Sequence, residues 1–471
     1  MKILTSNVFK VYNKLVIYKI KIILGGSGME QKELKRIKWN SWMFIVSYAF
    51  MGILSGVAFD VLVTFLQEVS PSTATSFSTW MGLSTFIGAG MLLIAPKLGY
   101  KKTIFIAPII CIVSLFGISY SNVDLIFPIA TLAFITGFGF YDVMLAPMLN
   151  AYTTKENRHK TFSRALYINV SGMVIASWAG GPFIVYRFAS KIGKTYEKAK
   201  ELTATFETLK ASSSLYNAYI AAHRDVFLVS IILCILSLIP LLFIKELPID
   251  YREENKDTEK KKFDWSIFKN KYVVSFVIYY ALIRFGASLI VPYFSVYLTK
   301  FIGIDRATTS TLVGATNLAM VIFMVVSPWF VKKFGQVVAL GGLSLVSIPF
   351  MMIIANGKIF GSSAVIVVGL ALFLRSGFMN AANPIMMSLP MEFVSKELRP
   401  AYNSVIFAAG GITSILAGQF TRNILFKTQS GYATAYYITA VIYTVASVLL
   451  LVSCTKKYNR SHEVGKEEKG A

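Results

Sequence analysis

Long apolar runs alternate with short polar turns along the whole chain, and the runs are longer than the core of a soluble domain needs. Each is about 20 residues, the length at which a helix crosses the hydrocarbon core of a bilayer. Six can be placed in the first half: 42–66, 73–95, 103–120, 126–149, 163–186 and 225–244. Six more follow at 272–297, 308–331, 336–355, 363–389, 402–424 and 433–454. In lipid the backbone must satisfy its own hydrogen bonds, so such runs are expected as helices. The pattern predicts an all-α membrane protein with twelve transmembrane helices, here called segments 1–12.

Polar stretches divide the chain. Residues 1–41 and 455–471 read as cytoplasmic ends. Residues 245–271 read as a cytoplasmic linker between a six-helix unit at 42–244 and a second at 272–454. Within the first unit, 187–224 is an insertion on the outer side. There Ile192, Tyr196, Ala199, Leu202, Phe206 and Leu209 recur at spacings of three and four, with Lys194, Lys198 and Glu201 between them. That is an amphipathic helix, expected to rest on the outer face of the protein or on lipid rather than to act as a lid. Residues 1–28 carry Lys19 and Lys21 inside their apolar stretch and no cleavage site, so Met29 reads as the initiator and 1–28 as a non-native extension.

Composition agrees with this reading, since only 15% of the 471 residues are charged against about 25% in soluble domains. The net charge of +23 changes the picture only through its placement. Short loops after segments 2, 4, 8 and 10 hold Lys97, Lys101, Lys102, Lys155, Arg158, Lys160, Lys332, Lys333, Lys396 and Arg399. Those after segments 1, 3, 7, 9 and 11 hold only Lys300, Arg306, Lys358, Arg422 and Lys427. Ten against five places both termini in the cytoplasm. The charge therefore reads as membrane topology against anionic lipid, with no nucleic-acid partner. Cys111, Cys234 and Cys454 and the scattered histidines show neither a disulfide framework nor metal-ligand spacing, so no metal and no cofactor is expected. No nucleotide-binding or catalytic motif is present, which argues against an enzyme.

The halves repeat. Lys97-Leu98-Gly99 matches Lys333-Phe334-Gly335, Lys155-Glu156-Asn157-Arg158 matches Lys396-Glu397-Leu398-Arg399, and Gly172 and Gly180 match Gly410 and Gly418, all in one order and at nearly one offset. Six plus six segments, a charged middle loop and repeated basic turns resemble the major facilitator superfamily, over residues 41–455. Of that family's turn signature this chain keeps Lys97, Gly99, Lys101 and Lys102, with Lys333 and Gly335 in the second copy. Pro96 stands where the family has an acid, and Lys332 in the second copy. The resemblance implies two pseudo-symmetric six-helix bundles that rock about a central site lined by segments 1, 4, 7 and 10, with these turns as conformational switches.

Charges inside the membrane persist where they face a cavity or a partner. Arg284 and Arg375 lie in the middle of segments 7 and 10, Asp60 in the outer half of segment 1, and Asp142 in the inner half of segment 4. Tyr48, Gly52, Gly56, Asp60 and Thr64 form one small and polar stripe, and Asp142 shares a face with Ala146 and Asn150. Arg375, Asn380 and Asn383 cluster on segment 10, Tyr280 and Ser288 flank Arg284, and Asn317 is a further polar position on segment 8. Two guanidiniums near the midplane suit a carboxylate or phosphate. Alternatively they pair with Asp60 and Asp142 and lock the halves together. Either acid is a candidate for proton coupling.

The leading expectation is a secondary transporter that moves a small polar, anionic organic solute with protons across the cytoplasmic membrane and works as a monomer. A multidrug exporter is the alternative, drawn from Phe138, Phe140, Tyr141, Met144, Met379, Met386 and Met387. A membrane sensor or lipid-handling protein that transports nothing comes third.

Overall fold

The computed structural model describes residues 26–154, 157–204, 206–252, 265–395 and 398–459. Among them twelve helices are long and apolar enough to cross a membrane. They are α1 (Gln31–Val69), α2 (Phe77–Leu98), α3 (Tyr100–Tyr120), α4 (Ile126–Ala151), α5 (Lys160–Ile192) and α6 (Ser213–Leu242) in one half. The other half holds α7 (Lys271–Ile302), α8 (Arg306–Phe334), α9 (Gln336–Ala355), α10 (Gly357–Glu392), α11 (Tyr402–Lys427) and α12 (Gly431–Tyr458). The described residues contain no strand. Lys155, Glu156, Lys396, Glu397, residues 1–25 and most of the linker lie outside the described residues.

Packing repeats between the halves. In the first, α1 packs on α5, α2 on α4, and α3 on α4 and α6; in the second, α7 packs on α11, α8 on α10, and α9 on α10 and α12. Two further contacts join the halves, α2 with α11 and α5 with α8, and the same pseudo-twofold relation exchanges them. The exposed apolar side chains of α3, α6, α9 and α12, such as Val113, Ile232, Val346 and Val452, ring this assembly. They form a surface matched to lipid.

Close approach at the two cross-half contacts depends on glycine. A Cβ at Gly181 of α5 would lie 2.5 Å from the Arg306 carbonyl oxygen of α8, and one at Gly418 of α11 would lie 2.3 Å from the Thr79 amide nitrogen of α2. Small residues permit such backbone approach in lipid. Gly181→Val is therefore expected to part α5 from α8. The check is faster modification of a cysteine placed at Thr75, which is buried where the start of α2 meets α7 and α11 on the other side of the cross-half contact; an unchanged rate would show the α5–α8 contact to be dispensable.

The turns at Gly99 and Gly335 have φ +96° and +80°, a left-handed backbone that glycine adopts without strain. Each is capped by a side chain that follows the last helix of its own half. Glu246 after α6 accepts the Lys101 amide at 2.9 Å, and Asn459 after α12 accepts the Val338 amide at 3.0 Å. The carboxylate absent at Pro96 is thus supplied from elsewhere in the chain. Burial raises the Glu246 carboxyl above its ordinary value, while the amides of Lys101 and Tyr100 pull it back down.

Helix ends differ from expectation most at the start of α1, which is helical from Gln31 rather than 42, and around 187–224. Helix α5 continues to Ile192 and α6 begins at Ser213, where Ser212 accepts the Leu215 amide as an N-cap. Between them lie two short helices, Tyr196–Ala204 and Phe206–Ala211. Ala199, Thr203 and Leu209 are buried, so this stretch rests on the protein. Residues 213–224 are polar in sequence but complete a helix whose inner side is covered, which hydropathy alone does not register.

Candidate functional site

Asp60 sits in a π-helical turn of α1, Ala58–Leu62, and is fully buried. Such turns displace one residue from the ordinary helical ladder and recur at functional sites. Here the turn aims the carboxylate across the seam between the halves. Arg306, the first residue of α8, donates from Nη1 to Asp60 Oδ1 at 2.8 Å, and its side chain is also fully buried. Ser295 of α7 donates to Asp60 Oδ1 at 2.6 Å, and Ser310 of α8 donates to Asp60 Oδ2. One carboxylate of the first half thus holds three side chains of the second. Thr203 of the short helix above accepts the Arg306 amide at 3.1 Å, which covers the pair from the face opposite the termini.

Further polar contacts line the same face. Lys300 at the end of α7 pairs with Glu68 at the end of α1. Tyr293 and Thr421 both donate to the Thr75 carbonyl, at 2.9 and 2.7 Å, and Tyr432 donates to Gln67 at 3.2 Å. Deeper along the seam, Trp178 donates to the Thr311 carbonyl and Asn317 to Ser177. The bonds between the halves named above all lie on the side opposite the termini or deeper along the seam. A cavity of about 430 Å³ opens on the side of the termini within the second half, lined by Tyr280, Met386, Met387, Pro390, Arg399 and Asn403 among others.

The other candidate residues fall at different depths. Tyr48 donates to Asp142 at 2.5 Å, a bond within the first half between α1 and α4. Tyr48 stacks on Tyr141 and Phe44, which fixes its ring. Arg284 is exposed in the middle of α7, beside Gly410 of α11, whose Cβ position lies 3.1 Å from the Tyr280 ring. Arg375 is only 3% exposed and sits 5.1 Å from the centre of the Phe294 ring. Its Nε and Nη1, and the hydroxyls of its electrostatic neighbours Tyr436 and Tyr443, have no hydrogen-bond partner. Asn383 donates to Asn380 at 2.8 Å, and Asn380 to the Ser376 carbonyl. Lys97 and Lys333 are exposed at the turns, with Lys333 over the Trp329 ring.

The lock envisaged between Arg284 or Arg375 and the two acids is not made in this structure, because Asp60 takes Arg306 and Asp142 takes Tyr48. Charge counting assigned Arg306 to a loop and so missed it. Two signals mark it in retrospect. Asp305 is an N-cap for the next helix, accepting the Thr308 amide. Arg306, Ser310, Gly314 and Asn317 then form a polar and small stripe at helical spacing. His223 is a second omission: it is fully buried in α6 and close enough to feel both Arg306 and Asp60.

Two pseudo-symmetric bundles of six spanning helices, joined along a buried polar seam, are the architecture of a membrane transporter. The sequence matches the family model of the Major Facilitator Superfamily over residues 92–418, and the chain belongs to that family. Solved structures share the fold at low identity. The nucleoside transporter NupG is 13% identical with a TM-score of 0.63, over 88% of this chain and 98% of that one. A D-xylose-proton symporter is 16% identical with a TM-score of 0.64, over 89% and 98%. The xylose transporter XylE from E. coli, in a partially occluded inward open conformation, is 15% identical with a TM-score of 0.62, over 88% and 98%. A search of curated proteins returns no match.

Proposed function

We propose that this transporter moves a small polar, anionic organic solute across the cytoplasmic membrane together with protons, as a monomer with both termini in the cytoplasm. The arrangement described here is then its state closed to the outside and open toward the cytoplasm. The observation that carries the reading is the Asp60–Arg306 pair. A charge pair with no solvent access, bridging two bundles that must part, is a latch whose strength depends on whether the carboxylate carries a proton. Protonating Asp60 removes the charge that compensates Arg306 and weakens closure of the outer face. Asp142, hydrogen bonded to Tyr48 on the cytoplasmic half of α4, is the second coupling candidate.

The anionic character of the solute rests on Arg284 and Arg375, which have no carboxylate partner among the described residues, together with Tyr280, Asn380, Asn383 and Asn317 as polar contacts. Structural neighbours include a nucleoside transporter, a D-xylose-proton symporter and a fucose:proton symporter, which supports a polar solute and coupling to protons. The turns holding Lys97, Gly99, Lys101, Lys333 and Gly335 act as the switch elements that move with each bundle.

The test is uptake by proteoliposomes against a pH gradient for the parent protein, Asp60→Asn and Asp142→Asn. At least one variant is expected to lose acid-stimulated uptake while retaining exchange of solute at equal pH. Intact acid stimulation in both variants would refute the coupling.

A further inference from the structure

We propose that the cleft between the start of α3 and the end of α6 is a binding site for the phosphate headgroup of an anionic phospholipid. The cleft encloses about 580 Å³ and is lined by Lys101, Lys102, Phe105, Ile244, Lys245 and Glu246. It lies where two spanning helices end, α3 at Tyr100 and α6 at Leu242, so its depth is that of the lipid headgroups. The site is independent of the solute proposed above and faces outward from the bundle.

Three lysines meet one carboxylate here, and their roles differ. The Lys101 ammonium is held by the Leu242 and Ile244 carbonyls at 2.9 and 2.7 Å, which fixes it at the floor of the cleft. The Glu246 carboxylate is engaged by the amide at the start of α3 and is thereby partly neutralised. The side-chain ammoniums of Lys102 and Lys245 have no hydrogen-bond or ion-pair partner among the described residues, and both residues are exposed. Two uncompensated ammoniums beside a third fixed one make an anion site rather than a solvated fringe.

The surroundings decide which anion. On α3, Ile106 and Ile109 are 41% and 44% exposed; on α6, Ile239, Leu242 and Phe243 are 46%, 60% and 55% exposed. These side chains continue from the cleft down the lipid-facing side of both helices, the direction in which acyl chains would run. A soluble phosphate gains nothing from this apolar continuation, whereas a phospholipid places its head on the lysines and its chains on the isoleucines. Basic pockets between spanning helices take anionic headgroups in this manner.

The cleft also joins two parts of the first bundle. Its walls are the first turns of α3 and the first residues after α6, which dock on α1 through Arg36–Asp250 and the reciprocal pair Asn40–Lys245. A bound headgroup would therefore brace the start of α3 against the linker and stabilise the first bundle as a unit.

The experiment is the melting temperature of the purified full-length protein in mild detergent, with added phosphatidylglycerol, phosphatidylcholine or inorganic phosphate, for the parent and for Lys102→Gln/Lys245→Gln. These are exposed positions, so the variant is expected to fold. Phosphatidylglycerol should stabilise the parent more than phosphatidylcholine does, and inorganic phosphate should have no effect. At about 1 kcal/mol for each surface lysine, the double variant should need roughly tenfold or more additional phosphatidylglycerol for the same shift. Equal stabilisation by phosphatidylcholine, an equal response to inorganic phosphate, or an unaltered response in the double variant would each overturn the proposal.

Discussion

Asp60→Asn is expected to open the outer face. The substitution leaves the Arg306 guanidinium buried without its counter-charge, and stranding one member of a buried pair costs about 3–5 kcal/mol. That corresponds to a shift of roughly a hundredfold or more in the equilibrium between the closed and open outer face. A cysteine placed at Thr75 reports the change through its rate of labelling by a membrane-impermeant maleimide added from outside. Cys111, Cys234 and Cys454 are buried and contribute little background. Arg306→Gln should behave similarly. The double variant Asp60→Asn/Arg306→Gln removes both charges, so its labelling should fall back toward the parent rate. Parent-like labelling in Asp60→Asn alone would mean that the α2–α11 and α5–α8 contacts hold the face shut without the latch.

Arg375→Met is expected to stabilise the protein and abolish uptake. The guanidinium is buried, two of its nitrogens lack partners, and its surroundings are Phe294, Tyr436 and Tyr443. A buried charge without a partner is costly, and a hydrophobic side chain of similar length removes the cost while keeping the packing. A gain of about 1 kcal/mol or more should appear as a higher melting temperature. Loss of uptake in the same variant would identify Arg375 as strain retained for the solute, the usual trade of stability against function. A lower melting temperature would instead make Arg375 part of the bundle's own architecture. Arg284→Ala separates the two arginines, because Arg284 is exposed and its loss should leave stability nearly unchanged while weakening uptake of the anionic solute.

The architecture was legible in the chain because the bilayer simplifies it. Helix number follows from the length of apolar runs, and the pairing of the halves follows from repeated turns such as Lys97-Leu98-Gly99 and Lys333-Phe334-Gly335. The residues worth attention were legible too, since a charge such as Asp60 or Arg375 within an apolar run signals an unusual environment. Their partners were not. Arg306 adjoins a polar loop, and only the packing of α8 against α5 removes it from water and places it on Asp60, 246 residues away in the chain. Glu246 reaches the α2–α3 turn across 145 residues, from a position that reads as the beginning of a linker.

Local pattern determines what a segment is, because hydrophobicity and backbone satisfaction act over one helix. Which charges meet depends on how helices from distant parts of the chain approach, and that is fixed by small residues such as Gly181 and Gly418 and by one π-turn in α1. The sequence by itself therefore determined twelve helices in two related halves and the polar positions within them. Only the tertiary structure decided that the carboxylate of one half closes on the arginine of the other, at the face opposite the termini.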